Sequence, residues 1–126
     1  MMETEELIKA IIQCAYNVRM HLAAGFLETV YQKALVIELK EKGIHADTEM
    51  PINVYYKHEV VGEFRADIIA ENEIIIELKA VQNLIPIHET QLVNYLTATN
   101  KDNGLLINFG GERIEIKRKF REYKHQ

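Results

Sequence analysis

The chain has 126 residues, 48% hydrophobic and 27% charged, with six Gly and two Pro. That is the make-up of one globular domain spanning 1–126, and it excludes low-complexity disorder and collagen-like repeats. A net charge of −4 weighs against a protein that coats nucleic acid through bulk electrostatics, though not against an enzyme that touches it locally. No apolar run reaches the roughly 18–20 residues of a membrane helix. The acidic start Met1-Met2-Glu3-Thr4-Glu5-Glu6 is not a signal peptide, and a lone Cys14 supplies neither a disulfide nor a zinc cluster. A cytoplasmic protein is expected.

From Glu5 to Leu22, the residues Leu7, Ile11, Cys14, Ala15, Val18 and Leu22 recur at helical spacing, which predicts an amphipathic helix. Ala23-Ala24-Gly25 interrupts it. A second helix follows from about Leu27 to Lys42 and stops at Gly43, a residue that accepts the left-handed backbone of a helix end. Glu28, Tyr31, Leu35 and Leu39 share one face of it. A region rich in Val, Ile, Tyr and Phe, from about Thr48 to Val81, reads as strands broken near Lys57-His58 and Glu71-Asn72. Pro86 opens a third helix, Ile87 to about Thr99. Asn103-Gly104 is expected to turn into the strand Leu105–Phe109, and Gly110-Gly111 into a last strand, Arg113 to about Lys119. The order α-α-β-β-β-α-β-β describes an α/β protein with a mixed β-sheet flanked by helices.

The segment Gly62–Val81 carries the most chemistry. Phe64, Ala66, Ile68 and Ala70 alternate with Arg65, Asp67 and Ile69; Ile74, Ile76, Leu78 and Ala80 alternate with Ile75, Glu77 and Lys79. Each strand then has one apolar face and one that carries charges. A slip of one residue would set apolar against charged positions, so the register is tightly specified. Matching the apolar faces sets Asp67 opposite Glu77 and Arg65 opposite Lys79, which needs an odd-membered loop such as Glu71-Asn72-Glu73.

Like charges directly across a ladder are destabilising. A divalent cation offsets the repulsion, and Mg²⁺ prefers carboxylate and carbonyl oxygens with water. Lys79 then adds a cation that can orient a water or stabilise charge growing on a phosphoryl oxygen. The competing reading is a solvated ion-pair ladder of Arg65 and Asp67 with Glu77 and Lys79. The Glu-x-Lys tripeptide does not decide between them, since it also occurs at Glu38-Leu39-Lys40, Glu115-Ile116-Lys117 and Glu122-Tyr123-Lys124. Only Glu77-Leu78-Lys79 has an Asp on the paired strand and the same face.

Gln91 and Tyr95, four apart, present side by side on the third helix and can hydrogen-bond a metal-bound carboxylate or a nucleic-acid backbone; a helix that simply packs Leu92 and Leu96 inward is the alternative. Glu28 falls on the inward-looking stripe of the second helix, where a carboxylate needs a partner or a metal, or else it sits at the helix start and meets the dipole. His21, His45, His58, His88 and His125 show no metal-ligand spacing. His88 shares a face with Gln91 and Tyr95, with a surface position as the plainer reading. There is no Ser, which removes a serine nucleophile, and Cys14 reads as a small core residue. No nucleotide-cofactor fingerprint is present. The basic residues Lys117, Arg118, Lys119, Arg121 and Lys124 crowd the C-terminus, a run that reads first as a solvated face or a tail and only second as a binding patch.

Asp67, then Glu77-Leu78-Lys79 on the neighbouring strand, then Gln91-x-x-x-Tyr95 on the next helix resembles the PD-(D/E)XK nuclease superfamily, particularly its RecB-like branch. Gly25-Phe26-Leu27-Glu28-Thr29-Val30-Tyr31 resembles the heptad that names the GxxExxY family. The resemblance covers about Glu5 to Phe120. It implies a restriction-endonuclease-like core and a Mg²⁺-dependent nuclease, with Mn²⁺ as substitute, that hydrolyses DNA phosphodiester bonds by water attack. By the same resemblance, Asp67, Glu77 and the Leu78 carbonyl would ligate the metal and Lys79 would activate the water. Glu28 would add the acidic group of the first core helix, and Gln91 and Tyr95, with Tyr31 beside them, would line the cleft or hold DNA. Ala66 stands where the superfamily has Pro. Grip on DNA is expected from a homodimer, the basic C-terminal strand or a partner protein, with no membrane involved. The alternative from another class is a non-catalytic module of the same fold that binds nucleic acid or a protein partner.

Overall fold

The computed structural model describes residues 2–122. Lys124 of the basic cluster, His125, and Tyr123-Lys124 of the last Glu-x-Lys tripeptide lie outside them. The elements run α1 (Thr4–His21), α2 (Glu28–Glu41), β1 (Ala46–Tyr56), β2 (Glu59–Ala70), β3 (Ile74–Lys79), α3 (Pro86–Thr99), β4 (Asn103–Asn108) and β5 (Glu115–Phe120). The five strands form one sheet in the order β1-β2-β3-β4-β5. The β3–β4 pair is parallel and the other three are antiparallel. A parallel pair needs a long crossover connection, and α3 supplies it.

Helical spacing in the sequence becomes two separate cores. Leu7, Ile11, Cys14 and Val18 of α1 and Tyr31, Leu35 and Leu39 of α2 pack on one sheet face, against Ile68, Ala70, Ile74, Ile76, Leu78, Leu105, Ile107 and Phe109. On the other face Leu92, Tyr95 and Leu96 of α3 cover Ile52, Ala66, Ile69, Ile75 and Leu106. The central strand β3 is buried on both faces, hence the unbroken apolar run Ile74-Ile75-Ile76.

The expected register holds. Ile68 pairs with Ile76, Ile69 with Ile75 and Ala70 with Ile74, which leaves Glu71-Asn72-Glu73 as the loop. Glu71 and Asn72 carry positive φ, as do Lys57 and His58 at the β1–β2 turn, a two-residue link of the kind that joins twisted antiparallel strands.

Two expectations are corrected. Asn103-Gly104 lies in β4 and is not a turn; a Cβ at Gly104 would come within 2.9 Å of Leu92 Cδ1 and 3.2 Å of the Ile75 carbonyl, so glycine is there to let α3 approach the sheet. The alternation along β2 also breaks. Ile68 and Ala70 face the α1–α2 core, whereas Ala66 packs under α3 and Phe64 meets Tyr95 with ring centroids 5.4 Å apart. The change of face happens at Asp67. Thr48 pairs with Ile68 and Met50 with Ala66, but Glu49 and Asp67 do not pair between them, and Glu49 has φ of 53°. Such local irregularities re-aim a side chain.

Candidate active site

Past the Ile68–Ile76 pair, β2 and β3 separate, and two carboxylates fill the fork. The Asp67 backbone N–H donates to Glu77 Oε2 at 2.9 Å, and the Leu78 N–H donates to Asp67 Oδ2 at 2.8 Å. Each acid thus accepts a main-chain N–H from the opposite strand. The Asp67 carbonyl is taken from the other side, by Gln32 Nε2 of α2 at 2.8 Å; the same amide nitrogen reaches Glu49 Oε2 at 2.9 Å. The Asp67 peptide is therefore pinned by side chains where the ladder lets it go. The expected Arg65–Lys79 opposition is absent for the same reason: the strands have parted, and Arg65 pairs with Pro51 of β1.

Glu77 is 7% exposed. Burial, then the neighbouring Asp67 charge, push its carboxyl up to about 8, against the pull of the Asp67 N–H and the Lys79 ammonium. Asp67 is half-buried and also titrates above the ordinary carboxylate range, chiefly through burial, with Glu28 and Glu49 adding to it and the Leu78 N–H opposing. Two adjacent acids whose carboxyls are both raised chiefly by burial are a candidate functional site.

The ion-pair ladder is not formed. Among the described residues the ion pairs are His45–Asp47, Arg118–Glu5, Lys119–Glu89 and Arg121–Asp102; neither Arg65 nor Lys79 bridges to Asp67 or Glu77. In the C-terminal strip, Arg118, Lys119 and Arg121 are engaged with acids of the same chain.

The other expected residues divide. Gln91 Nε2 donates to the Tyr95 hydroxyl at 3.0 Å, and burial together with the charges of Glu77 and Asp67 raises the Tyr95 hydroxyl, which puts Tyr95 within electrostatic reach of the acids. Glu28 is exposed at the first position of α2, not turned into the core, yet its charge reaches both Asp67 and Glu77. Tyr31 is a correction: it is fully buried, its ring stacked on Phe109 at 4.7 Å. Its hydroxyl donates to the Ala23 carbonyl and accepts the Phe26 N–H. With no exposed surface it holds the 22–27 loop and offers nothing to a substrate. His88 Nδ1 accepts the Ile85 N–H at 3.2 Å, which closes the start of α3.

Gln32, Glu49 and Asn108 went unnoticed in the sequence. Asn108 is fully buried, and its carboxamide grips both the N–H and the carbonyl of Val81. That fixes the chain just beyond Lys79. The only signal for Gln32 was its place one turn after Glu28.

No three His, Cys, Asp or Glu side chains among the described residues converge closely enough to form a metal cage. Two carboxylates and a strand carbonyl do fit Mg²⁺, which keeps several waters and takes few protein ligands. The hydrogen bonds occupy one oxygen of each carboxylate and leave the other for such an ion.

A model of the PD-(D/E)XK nuclease superfamily matches residues 5–119, and the chain belongs to that superfamily. Its members generally use divalent metals. A solved structure of similar fold is the crystal structure of SSO0001, at 23% identity and a TM-score of 0.59. The likeness covers 76% of this chain and 50% of that one, so the present chain spans about half its length. No curated protein matches. Among the described residues no helix is long and apolar enough to cross a membrane.

Proposed function

We propose that this protein is a divalent-metal-dependent nuclease that hydrolyses DNA phosphodiester bonds, of the GxxExxY type within the RecB-like branch. The observation that carries the reading is the buried Asp67–Glu77 carboxyl pair, whose mutual repulsion helps raise Glu77, cross-linked through each other's strands with Lys79 two residues on. A folded chain tolerates such repulsion at a site where a cation is received.

In this reading Asp67, Glu77 and the Leu78 carbonyl hold Mg²⁺, or Mn²⁺ in its place, and Glu28 contributes negative charge from the start of α2. When bound, the ion supplies positive charge to the phosphate and lowers the pKa of the attacking water. Lys79 orients that water and meets the charge that builds on the phosphoryl oxygens. Asn108 and Gln32 keep Lys79 and Asp67 in place through the backbone. Gln91 and Tyr95 border the cleft and donate to the nucleic-acid strand.

Thermal unfolding with and without Mg²⁺ or Mn²⁺ tests the reading, because a ligand that binds only the native state raises the midpoint. A rise in the wild type that Glu77→Gln abolishes supports it; no rise at millimolar metal contradicts it. The second reading, a non-catalytic nuclease-fold module, is favoured by the lack of a three-residue cage among the described residues. It predicts nucleic-acid or protein binding with no metal response.

A further inference from the structure

A groove of about 1040 Å³ lies between α3 and the β1–β2 hairpin and includes Gln91 and Tyr95, the latter within electrostatic reach of Glu77 and Asp67. It is at the upper end of the roughly 300–1,000 Å³ of small-ligand clefts. Its chemistry differs from that of the acidic fork. Phe64 is 43% exposed and tilted against Tyr95, while Tyr55 stands further along the hairpin wall. The carboxamides of Asn53, Asn94 and Gln91 line the same groove. Gly62 has a role here: a Cβ on it would stand 2.9 Å from Phe64 Cε2, so the glycine leaves room for the Phe64 ring, which lines the groove.

We infer that this groove receives an unpaired nucleobase of a DNA strand whose phosphate lies at the Asp67–Glu77 site, making single strands or unpaired ends the substrate. The inference rests on the nuclease reading and adds the substrate form to it. Aromatic faces stack on any base, and carboxamides both donate to and accept from base edges. A paired base inside a duplex presents neither its face nor its pairing edge. Gripping a duplex calls for a broad basic surface, and here Arg118, Lys119 and Arg121 are held by Glu5, Glu89 and Asp102.

The test is fluorescence anisotropy of a labelled single-stranded DNA oligonucleotide and of its blunt duplex, with Ca²⁺ as the cation, alongside cleavage of both in Mg²⁺ and Mn²⁺. The variants are Phe64→Leu, which keeps apolar bulk without the ring, Phe64→Tyr, which keeps the ring, and Asn94→Ala, at an exposed position. The wild type is expected to bind the single strand more tightly. Phe64→Leu should weaken that binding roughly 5- to 150-fold, the range of one base–aromatic stack, with a smaller loss for Asn94→Ala and none for Phe64→Tyr. If the duplex binds as tightly as the single strand, or Phe64→Leu binds like the wild type, while Mg²⁺ cleavage persists, the groove assignment is overturned and the nuclease reading stands. If the variants behave as expected but nothing is cut in either metal, the base groove stands and the catalytic reading falls. Binding of neither form overturns both.

Discussion

The Asp67 N–H donates to the Glu77 carboxylate at 2.9 Å across the fork between β2 and β3. That bond orients Glu77 but does not neutralise it, and its carboxyl still titrates near 8. In the unfolded chain the same group ionises near 4.5. The native state therefore binds more protons than the unfolded state between those values, and stability falls as pH rises through them. Asp67 adds to the trend in the same direction.

Without metal, the melting midpoint should accordingly decline from about pH 4.5 to about 8 and level off above. Glu77→Gln should flatten the decline and melt higher than the wild type at the alkaline end. Mg²⁺ should restore the wild type and leave the variant unchanged. Calorimetry across pH with and without metal checks this; a midpoint in metal-free wild type that rises over that window would contradict it.

Gln32 should matter to activity out of proportion to its distance from the chemistry. Its bond to the Asp67 carbonyl is lost in Gln32→Ala, at a cost of about 1–3 kcal/mol if the carbonyl stays dry. Cleavage should drop through kcat, with KM little changed, because Asp67 loses its bearing and no substrate contact is removed. Gln32→Glu, which cannot donate when ionised, should not rescue it.

Tyr31→Phe keeps the stack on Phe109 and removes the two hydroxyl bonds to the 22–27 loop. A loss of about 0.5–1.5 kcal/mol per hydrogen bond is expected in denaturant melts, with KM for DNA unchanged. A rise in KM without loss of stability would return Tyr31 to the substrate side.

Much of this site was readable from the chain alone, for a definite reason. The apolar residues Ile68, Ala70, Ile74 and Ile76 fix the register of β2 on β3, and that register sets Asp67 beside Glu77 with a three-residue loop. What escaped was set by contacts that no local pattern encodes. Gln32 acts on a carbonyl 35 residues away and Asn108 on a peptide 27 residues away. The change of face at Asp67 was hidden because β2 has apolar residues on both sides of it. Asn103-Gly104 imitates a turn, yet the glycine answers to Leu92. The pairing of the C-terminal cations was not legible because their acids, Glu5, Glu89 and Asp102, lie elsewhere in the sequence.

Those pairings set a further expectation. Replacing Arg118, Lys119 and Arg121 with alanine should lower the melting midpoint and leave the salt dependence of DNA binding nearly unchanged, since each phosphate contact contributes about 0.9 to the slope and these side chains are already engaged. A slope reduced by two or more, measured as log affinity against log salt, would restore the C-terminal strand as the DNA grip.

The most direct measurement is to incubate purified wild type and Lys79→Ala with linear and circular DNA in Mg²⁺ and in Mn²⁺. The account predicts metal-dependent cleavage by the wild type and at least a hundredfold loss in the variant, on the scale of about 10²–10³ for removing one transition-state charge stabiliser. Linear single strands should be cut and closed duplex circles spared. Equal cleavage by both proteins, or cleavage that survives removal of all divalent metal, would contradict it.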